Sequence, residues 1–465
     1  MAVSSSLRAI SCAAVVAQAA CHSSGIAPGQ ISADSLALNQ DVAYLASDAL
    51  EGRGTGTAGN NAAARYIERR YRVLNLKPVA MFDAVACSLG KDSAEALRRR
   101  IESRMGTGAG VTSNTAPCDK DFFQKFTPRS QVLAHSALVS FLGAQNVVAH
   151  LRGTDRELRD EYVVIGAHYD HLGRSTLGAL DLDAGNAIRN GADDNASGTA
   201  AVLELARLLS RRPLKRSVIF ANFSGEELGL LGSQFFVKHP PVPLRSIVAM
   251  LNFDMVGRLR DDKLIVYGAG TAEELPVILD SANITPTLAV RAIPGGSGPS
   301  DHSSFYARNI PVLHFFTDLH EDYHRATDDV ERINAAGMVR VVGFAERVVR
   351  SVGDRPSRLT VVQHAAPPPL ARASAGPRPY LGTVPDMGTV DAGGLRLSGV
   401  SPGSPADGAG MRAGDVIVEL DGKTVTDLET YAQALYARKP GDSVAIVVLR
   451  NGERVRVNAV LGSRE

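Results

Sequence analysis

Short apolar runs alternate with segments of helical spacing over most of the chain, and this pattern predicts an α/β fold. Buried strands are expected in the apolar runs within VVIGAHYDHLG, VIFANFSGEELGLLGS, SIVAMLNFDMVGR and PVLHFFT. A last helix is expected over NAAGMVRVVGFAERVVRSV, where apolar residues recur at helical spacing. Strands that alternate with helices favour a mixed, mainly parallel sheet flanked by helices, over residues 22–353.

The pattern changes at about residue 354. Residues 354–378 are rich in Pro, Ala, Arg and Ser, a composition with little capacity to form a core, and we expect a linker there. Residues 379–463 show short strands, glycine-marked turns and one helix over DLETYAQALYA, which is typical of a small, mainly-β domain. A chain of 465 residues is long enough for both domains.

Within residues 1–21, Arg8 is followed by the short apolar segment AISCAAVVAQAAC, which ends in small residues. This is typical of an export signal, with cleavage after Ala19, and it predicts a periplasmic or secreted protein. Two alternatives stay open. One is a lipoprotein signal, in which Cys21 would be acylated and anchor the protein to a membrane. The other is a cytosolic protein with a frayed apolar tail.

Two of the four cysteines, Cys87 and Cys118, lie outside this segment. In an exported chain such a pair predicts one disulfide. Two unrelated free thiols are the alternative.

The charge balance excludes some classes of partner. The chain has 50 basic and 49 acidic residues and a net charge of +1, so neither nucleic acid nor an anionic membrane surface is indicated. The glycine-rich loop LASDALEGRGTGTAG precedes the predicted helix AAARYIERRYRVL, but it lacks the Lys-Ser/Thr pair of a phosphate-binding loop. No phosphate site is therefore expected.

Residues of metal-binding type follow the predicted strands at the points where the strands end. In open sheets of this kind, ligands collect at the carboxyl ends of the strands. The residues concerned are His168, Asp170, Asp193, Asp194, Glu226, Glu227, Asp254 and His324.

Nitrogen and oxygen ligands without a thiolate suit zinc, and also cobalt or manganese. One carboxylate could bridge two ions while a histidine and a second carboxylate cap each, and such a pair activates a shared water. The candidate ligands are His168, Asp194, Glu227, Asp254 and His324. Because Glu226 cannot easily point the same way as Glu227 in a strand-to-loop bend, it is the candidate general base.

These motifs resemble those of the dizinc aminopeptidase family, which includes secreted leucine-type aminopeptidases and aminopeptidase Y. Glutamate carboxypeptidases and glutaminyl cyclases are relatives. The resemblance covers about residues 40–352 and implies the zinc exopeptidase fold with two zinc ions. AHYDH implies that His168 is a ligand and that Asp170 orients it. The motifs GADDNASG, SGEELGLLGS, NFDM and EDYHRATDD imply the bridging Asp194, the base Glu226, and the ligands Glu227, Asp254 and His324.

The segment GGSGPSDHSSF departs from this family. Some members carry a tyrosine shortly before the SDH motif, which stabilises the tetrahedral intermediate, and this chain has none there. Either another donor or the metals alone would then hold the oxyanion. His302 is a candidate for a supporting or substrate-binding role, with a purely structural role as the alternative. The same alternatives apply to His171, Asp193 and Asp301, whereas Asp328 and Asp329 are expected to cap a turn.

The C-terminal residues PYLGTV, GVSPGSPADGAGMRAGDVIVELDGKTV and VVLRNGERVRVNAVL resemble a PDZ domain of the type found in periplasmic proteases. Such domains bind an extended peptide by adding it as a strand to a sheet edge. The resemblance implies that Tyr380, Leu381 and Gly382 receive a terminal carboxylate of a peptide or protein. The alternative is a domain that packs on its neighbour and binds no free peptide.

The sequence therefore predicts an exported zinc peptidase that removes N-terminal residues from peptides. A carboxypeptidase or dipeptidase on the same fold would need cationic residues for the substrate carboxylate, for which Arg258, Arg291 and Arg325 are candidates. A glutaminyl cyclase would carry one metal and a different pocket. A non-enzymatic, PDZ-anchored binding protein would bind no metal.

Overall fold

The computed structural model describes residues 32–79, 121–126, 143–176, 178–362, 378–385, 393–401, 403–426 and 428–464. The export signal with Cys21 lies outside the described residues, as do Cys87 and Cys118, so these features stay predictions. No helix in the described ranges is long and apolar enough to cross a membrane.

The elements of the first domain follow the order expected from the apolar pattern. Its strands are β1 (Lys77–Pro78), β2 (Phe123–Phe126), β3 (Ala144–Leu151), β4 (Tyr162–His168), β5 (Ser217–Phe223), β6 (Ile247–Phe253), β7 (Lys263–Tyr267), β8 (Ala289–Ile293) and β9 (Val312–Phe316). Its helices are α1 (Ser35–Leu45), α2 (Ala58–Val73), α3 (Gly198–Arg211), α4 (Leu231–Lys238), α5 (Leu275–Ala282), α6 (His302–Tyr306) and α7 (Ala335–Gly353).

Polar side chains start several of these helices. Asp34 accepts hydrogen bonds from two backbone N–H groups of α1, and Thr57 and Asn334 each accept one at the starts of α2 and α7. Such caps satisfy N–H groups that have no partner within the helix.

Within the described residues, β1 to β9 form one mixed sheet in the order β1-β3-β5-β4-β6-β9-β7-β8, with β2 beside β3. The central strands β5, β4, β6 and β9 are parallel, whereas β3 and β7 join them antiparallel on either side. The predicted mixed sheet is confirmed, with its parallel part at the centre.

Helices cover both faces of this sheet. The large apolar core joins α1, α2, α3, α5 and α7 to one face, and Phe236 of α4 and Phe305 of α6 pack with Ile219 of β5 on the other. Because the central strands are buried on both faces, their sequences are continuously apolar rather than alternating.

Residues 354–362, which their composition places in the linker, pack against this domain. Leu359 is buried in the large core, and the backbone N–H of Thr360 donates to the carboxylate of Glu274. Val362 also donates its backbone N–H to the carbonyl of Thr271, so the domain extends at least to residue 362.

The second domain contains β10 (Arg378–Tyr380), β11 (Thr383–Pro385), β12 (Leu395–Val400), β13 (Val416–Leu420), β14 (Lys423–Thr424), β15 (Ser443–Arg450), β16 (Glu453–Val460), β17 (Gly462–Arg464), α8 (Pro405–Gly408) and α9 (Leu428–Tyr436). Its described strands form a sheet in the order β11-β12-β13-β15-β16, with β14 beside β13, and β10 pairs with β17. A separate apolar core includes Ile417, Leu420 and Ile446.

Candidate metal centre

The ends of the central parallel strands bring the predicted ligands together at one edge of the sheet. His168 is the last residue of β4, Asp254 follows β6 directly, and Glu226 and Glu227 lie three and four residues after β5. His324 comes from the loop after β9. Residues far apart in the chain converge because the strands are parallel and end at the same edge.

Asp194 lies in the turn that precedes α3, and a buried carboxylate holds this turn in place. The backbone N–H groups of Asp193 and Asp194 both donate to the carboxylate of Asp328, at 3.0 Å. Gly191 has φ +59, and a Cβ there would lie 2.1 Å from the carbonyl oxygen of Asp194. The turn therefore requires glycine at this position. Asp328 was expected to cap a turn, and the turn whose N–H groups it binds lies more than 130 residues away in the chain.

The carboxylate of Asp194 lies between the two predicted histidine ligands. Its Oδ1 is 3.3 Å from His168 Nε2, and its Oδ2 is 3.1 Å from His324 Nε2. A further carboxylate lies near the same nitrogen of each histidine: Asp254 Oδ1 is 3.4 Å from His168 Nε2, and Glu227 Oε2 is 3.3 Å from His324 Nε2. The ligand atoms of His168, Asp194 and Asp254 all lie within 4.8 Å of one another, and so do those of His171, Asp194 and Glu227. His324 contacts both carboxylates of the second group, so Asp194 is common to two candidate sites.

These spacings fit a metal. Ligand atoms about 2.0–2.1 Å from a tetrahedral zinc ion lie roughly 3.3 Å from one another. The four distances that join the histidines to their carboxylates are 3.1–3.4 Å. The nitrogen and oxygen atoms therefore have the spacing and chemistry of two adjoining zinc sites, with Asp194 common to both.

Both histidines present the same ring nitrogen to the site. His168 Nδ1 lies 3.1 Å from the backbone carbonyl of Asp170, and His324 Nδ1 lies 2.8 Å from that of Gly178. Because a carbonyl only accepts, Nδ1 carries the proton in each ring and Nε2 is left to bind a metal. His324 adopts this position with a left-handed φ of +54, which is uncommon outside glycine.

The buried carboxylates of the centre raise the pKa of both histidine ligands and so favour the binding of cations. Burial lowers the pKa of His168, but Asp254, Glu226 and Asp194 raise it more, so that it stands well above its ordinary value. The pKa of His324 is also raised well above the usual range by its carboxylate neighbours, against the effect of burial. Buried carboxylates attract positive charge strongly, and metal ions would take the place of these protons.

The pKa values of the carboxylates Asp194 and Glu227 shift in the opposite direction, below their ordinary values. Burial favours their neutral forms, yet hydrogen bonds from His168 and His324 hold the pKa of Asp194 well below its ordinary value. His324 and His171 similarly lower the pKa of Glu227 to about 2. Both side chains are therefore ionised at neutral pH, as ligands must be.

The pKa of Glu226 shifts in the opposite direction from that of the adjacent Glu227. Burial raises the pKa of Glu226 well above its usual range, the carboxylates of Glu227, Asp301 and Asp254 raise it further, and His168 opposes them. A carboxyl group with a raised pKa can both take and return a proton near neutral pH. The pKa values of the two adjacent glutamates therefore shift in opposite directions, as the two predicted roles require.

Asp170 and His302, the two residues predicted to support the ligands, make different contacts. Asp170 is buried, and it binds His168 through its backbone carbonyl, since its carboxylate Oδ1 is 3.8 Å from His168 Nδ1. His302 is also buried, but its ring stacks on that of His314, with ring centroids 4.3 Å apart. Burial lowers the pKa of His302 well below its ordinary value, so its ring is neutral.

Several contacts of the centre were not assigned from the sequence. His171 Nδ1 lies 2.7 Å from Glu227 Oε1, and Ser300 donates a 2.7 Å hydrogen bond to Asp254 Oδ2. Asp193 Oδ2 lies 3.1 Å from His320 Nε2. His171 and Asp193 lie within the motifs AHYDH and GADDNASG, which was their only signal in the sequence.

Arg53 is a buried cation behind the bridging segment. Its guanidinium donates to the backbone carbonyls of Tyr169, Asn190 and Gly191, and Leu45 also accepts from it. Burial lowers the pKa of Arg53 to about 10, so it stays charged at neutral pH. It therefore fixes the loop LEGRGTG against the segment that carries Asp194.

Comparisons with known proteins agree with this geometry. Residues 146–348 match the model of peptidase family M28, and residues 379–461 match that of the PDZ domain. Leucine aminopeptidase 2 of Trichophyton rubrum is 29% identical over 246 residues, which are 46% of this chain and 46% of that protein. Probable leucine aminopeptidase 2 of Trichophyton verrucosum is 32% identical over 181 residues, or 37% of this chain and 33% of that one. The chain thus spans about half, or less, of the length of these relatives.

A solved structure supports the fold alone. The Zn-dependent exopeptidase from Parabacteroides distasonis matches 69% of this chain and 99% of its own, with a TM-score of 0.50 and 17% sequence identity.

Proposed function

Since residues 146–348 belong to peptidase family M28 and residues 379–461 form a PDZ domain, we propose that this protein is a dinuclear zinc aminopeptidase with a peptide-docking module. The observation that carries the proposal is the position of Asp194, whose two oxygens face His168 and His324 at 3.3 and 3.1 Å. A carboxylate shared in this way is the arrangement that two adjacent metals need.

The residues divide into two zinc sites and one base. His168, Asp194 and Asp254 would hold one ion, and His324, Asp194 and Glu227 the other. When bound, such a pair polarises a carbonyl and lowers the pKa of a water held in the site. Glu226 then takes the proton of the attacking water and returns it to the amine that leaves.

The contacts of the arginines favour a substrate ammonium over a substrate carboxylate. Two arginines close to the centre are already engaged: Arg258 pairs with Asp322 at 3.1 Å, and Arg53 binds backbone carbonyls. The other predicted cations, Arg291 and Arg325, lie on β8 and directly after His324. The Trichophyton relatives named above are leucine aminopeptidases, which favours the same specificity.

The PDZ domain has the features of a strand-adding site. Tyr380 ends β10, and Leu381 and Gly382 connect it to β11. In the described residues, β11 lies at the edge of its sheet and pairs with β12. An edge strand that follows such a loop can receive an extended peptide through backbone hydrogen bonds. We therefore propose that a peptide or protein terminus docks there.

The test combines metal content with matched substrate pairs. The purified protein is loaded with zinc, dialysed, and assayed on aminoacyl-nitroanilides and on the same compounds with an acetylated amine. We expect two zinc ions per chain and cleavage of the free amines alone, with a preference for leucine. Cleavage of N-blocked peptides from their C-terminal end would overturn the aminopeptidase assignment. Failure to bind zinc would overturn the enzyme assignment as a whole.

A further inference from the structure

Glu227 uses its two oxygens for different partners. Its Oε2 lies 3.3 Å from His324 Nε2, within one ligand set, and its Oε1 lies 2.7 Å from His171 Nδ1. We propose that His171 is a positioning residue that holds Glu227 so that it binds zinc through one oxygen only. The proposal rests on the zinc function proposed above, and it concerns the affinity of one of the two sites.

The 2.7 Å distance distinguishes a hydrogen bond from shared metal binding. The ligand pairs of the centre are 3.1–3.4 Å apart, near the roughly 3.3 Å between atoms on a tetrahedral zinc ion. His171 Nδ1 is closer than this to Glu227 and is 3.9 Å from Asp194 Oδ2. Since an ionised carboxylate only accepts, His171 Nδ1 carries the proton and donates it to Oε1.

The ring of His171 is held where it makes this contact. Its backbone N–H donates to the carbonyl of Arg53, and its side chain is fully buried. A Cβ at Gly191 would lie 2.5 Å from the ring, so the glycine leaves the space that the imidazole fills. The ring also meets His324 edge to face, with centroids 5.7 Å apart. Its Nε2 is buried and has no hydrogen-bond partner in the described part of the chain, so Nδ1 makes the ring's polar contact.

The other capping carboxylate is held in the same way. Asp254 Oδ1 faces His168, and Oδ2 accepts a 2.7 Å hydrogen bond from Ser300 Oγ. Asn252 Nδ2 donates to Ser300 Oγ at 2.8 Å, which directs the hydroxyl proton toward Asp254. Each capping carboxylate therefore has one oxygen tied to a buried donor and one oxygen left for metal.

The consequence for the loss of His171 is specific. Without its donor, Oε1 of Glu227 is released, and the carboxylate can rotate or bind with both oxygens. Groups that hold a ligand in this way typically contribute about 10–100-fold to metal affinity. The site built by His324 should weaken by this factor, while the site built by His168 keeps its affinity.

The experiment measures the two zinc dissociation constants of the full chain by competition with a chelator of known affinity. His171→Leu should leave one constant unchanged and raise the other about 10–100-fold, and excess zinc should restore kcat. His171→Asn keeps an N–H donor close to the position of Nδ1, and it should recover most of the lost affinity. His150→Leu is the matched control, because within the described residues His150 on β3 also has a buried Nε2 without a hydrogen-bond partner but contacts none of the candidate metal ligands.

A double-mutant comparison assigns the effect to Glu227. In a Glu227→Ala background, His171→Leu should cause no further loss, whereas Ser300→Ala should still weaken the remaining site. Two unchanged constants in His171→Leu would refute the proposal, and so would equal weakening of both sites or no recovery in His171→Asn. The proposed function is judged separately: two zinc ions without aminopeptidase activity would refute it and leave this test intact, whereas a wild-type protein without two zinc ions would overturn both.

Discussion

The hydroxyl of Thr55 donates a 2.7 Å hydrogen bond to the carboxylate of Asp170. The same carboxylate accepts the backbone N–H of Glu226 at 3.2 Å. Asp170 thereby joins the loop before α2 to the ends of β4 and β5, and Glu226, the proposed general base, takes its backbone position from these contacts. Burial raises the pKa of Asp170, and the two donors act against that rise.

Thr55→Val tests how much the hydrogen bond from Thr55 to Asp170 contributes to stability and turnover. The substitution keeps the shape of the side chain but removes a donor from a buried carboxylate, which typically costs about 1–3 kcal/mol of unfolding free energy. We expect that loss in urea denaturation, together with lower turnover at saturating zinc. Thr55→Ser keeps the hydroxyl and serves as the control. Equal stability of the Val and Ser variants would show that the hydrogen bond does not support the junction.

Glu226→Gln tests the division of labour between the two glutamates. The amide has the same shape but cannot accept a proton, and loss of a general base typically lowers kcat by about 10²–10⁴-fold. Zinc content should stay at the wild-type value, because Glu226 belongs to neither ligand set. Glu227→Gln is the contrast, since it should lower zinc affinity first. A Glu226→Gln protein with wild-type turnover would exclude Glu226 as the base.

The residues that meet at the centre could be predicted because most of them lie at or after the ends of parallel strands in the mixed sheet. His168, Asp194, Glu227, Asp254 and His324 each lie in a distinctive motif, and parallel strands bring their carboxyl ends to one edge. The strand pattern therefore carried both the fold and the ligand set. It also separated Glu226 from Glu227, because consecutive residues in a bend point different ways.

The residues that hold those ligands could not be predicted in the same way. Thr55 and Asp170 are 115 residues apart, and Ser300 and Asp254 are 46 apart. Their contacts depend on how loops pack over the sheet edge, and a serine or threonine in a loop has no periodicity that indicates its partner. His171 lies within the motif AHYDH, but a buried histidine has the same appearance in sequence whether it binds a carboxylate or only fills space.

Gly382→Ala tests the loop at the start of the PDZ sheet. Gly382 has φ +85, and a Cβ there would lie 2.1 Å from the Cβ of Ser404, which caps α8. The alanine would meet both backbone strain and this clash, so we expect a loss above the roughly 1–2 kcal/mol that left-handed strain alone costs. Gly452→Ala is the matched control, because Gly452 has φ +86 with nothing within 4 Å of its Cβ position. Hydrogen exchange at β13 and β15 measures both losses, and equal values would show that Ser404 moves aside freely.

His302→Leu tests a buried neutral histidine by its pH dependence. Burial lowers the pKa of His302 well below its ordinary value, and that of its stacking partner His314 to about 4. Between the unfolded pKa of about 6.5 and the lowered folded pKa, the unfolded state binds a proton that the folded state does not. Folding stability therefore falls as the pH drops below about 6.5, by up to about 1.4 kcal/mol per pH unit for each such residue.

The leucine variant has no imidazole at position 302 to take up this proton on unfolding, so its unfolding free energy should change less between pH 6.5 and 5. Neither nitrogen of His302 has a hydrogen-bond partner in the described residues, so the substitution breaks no hydrogen bond there. We expect a difference of up to about 2 kcal/mol between the two proteins at pH 5, relative to pH 7. Urea denaturation of the metal-free proteins at a series of pH values measures it. Because all other titrating groups are common to both proteins, parallel curves would mean that His302 is protonated in the folded state as readily as in the unfolded chain.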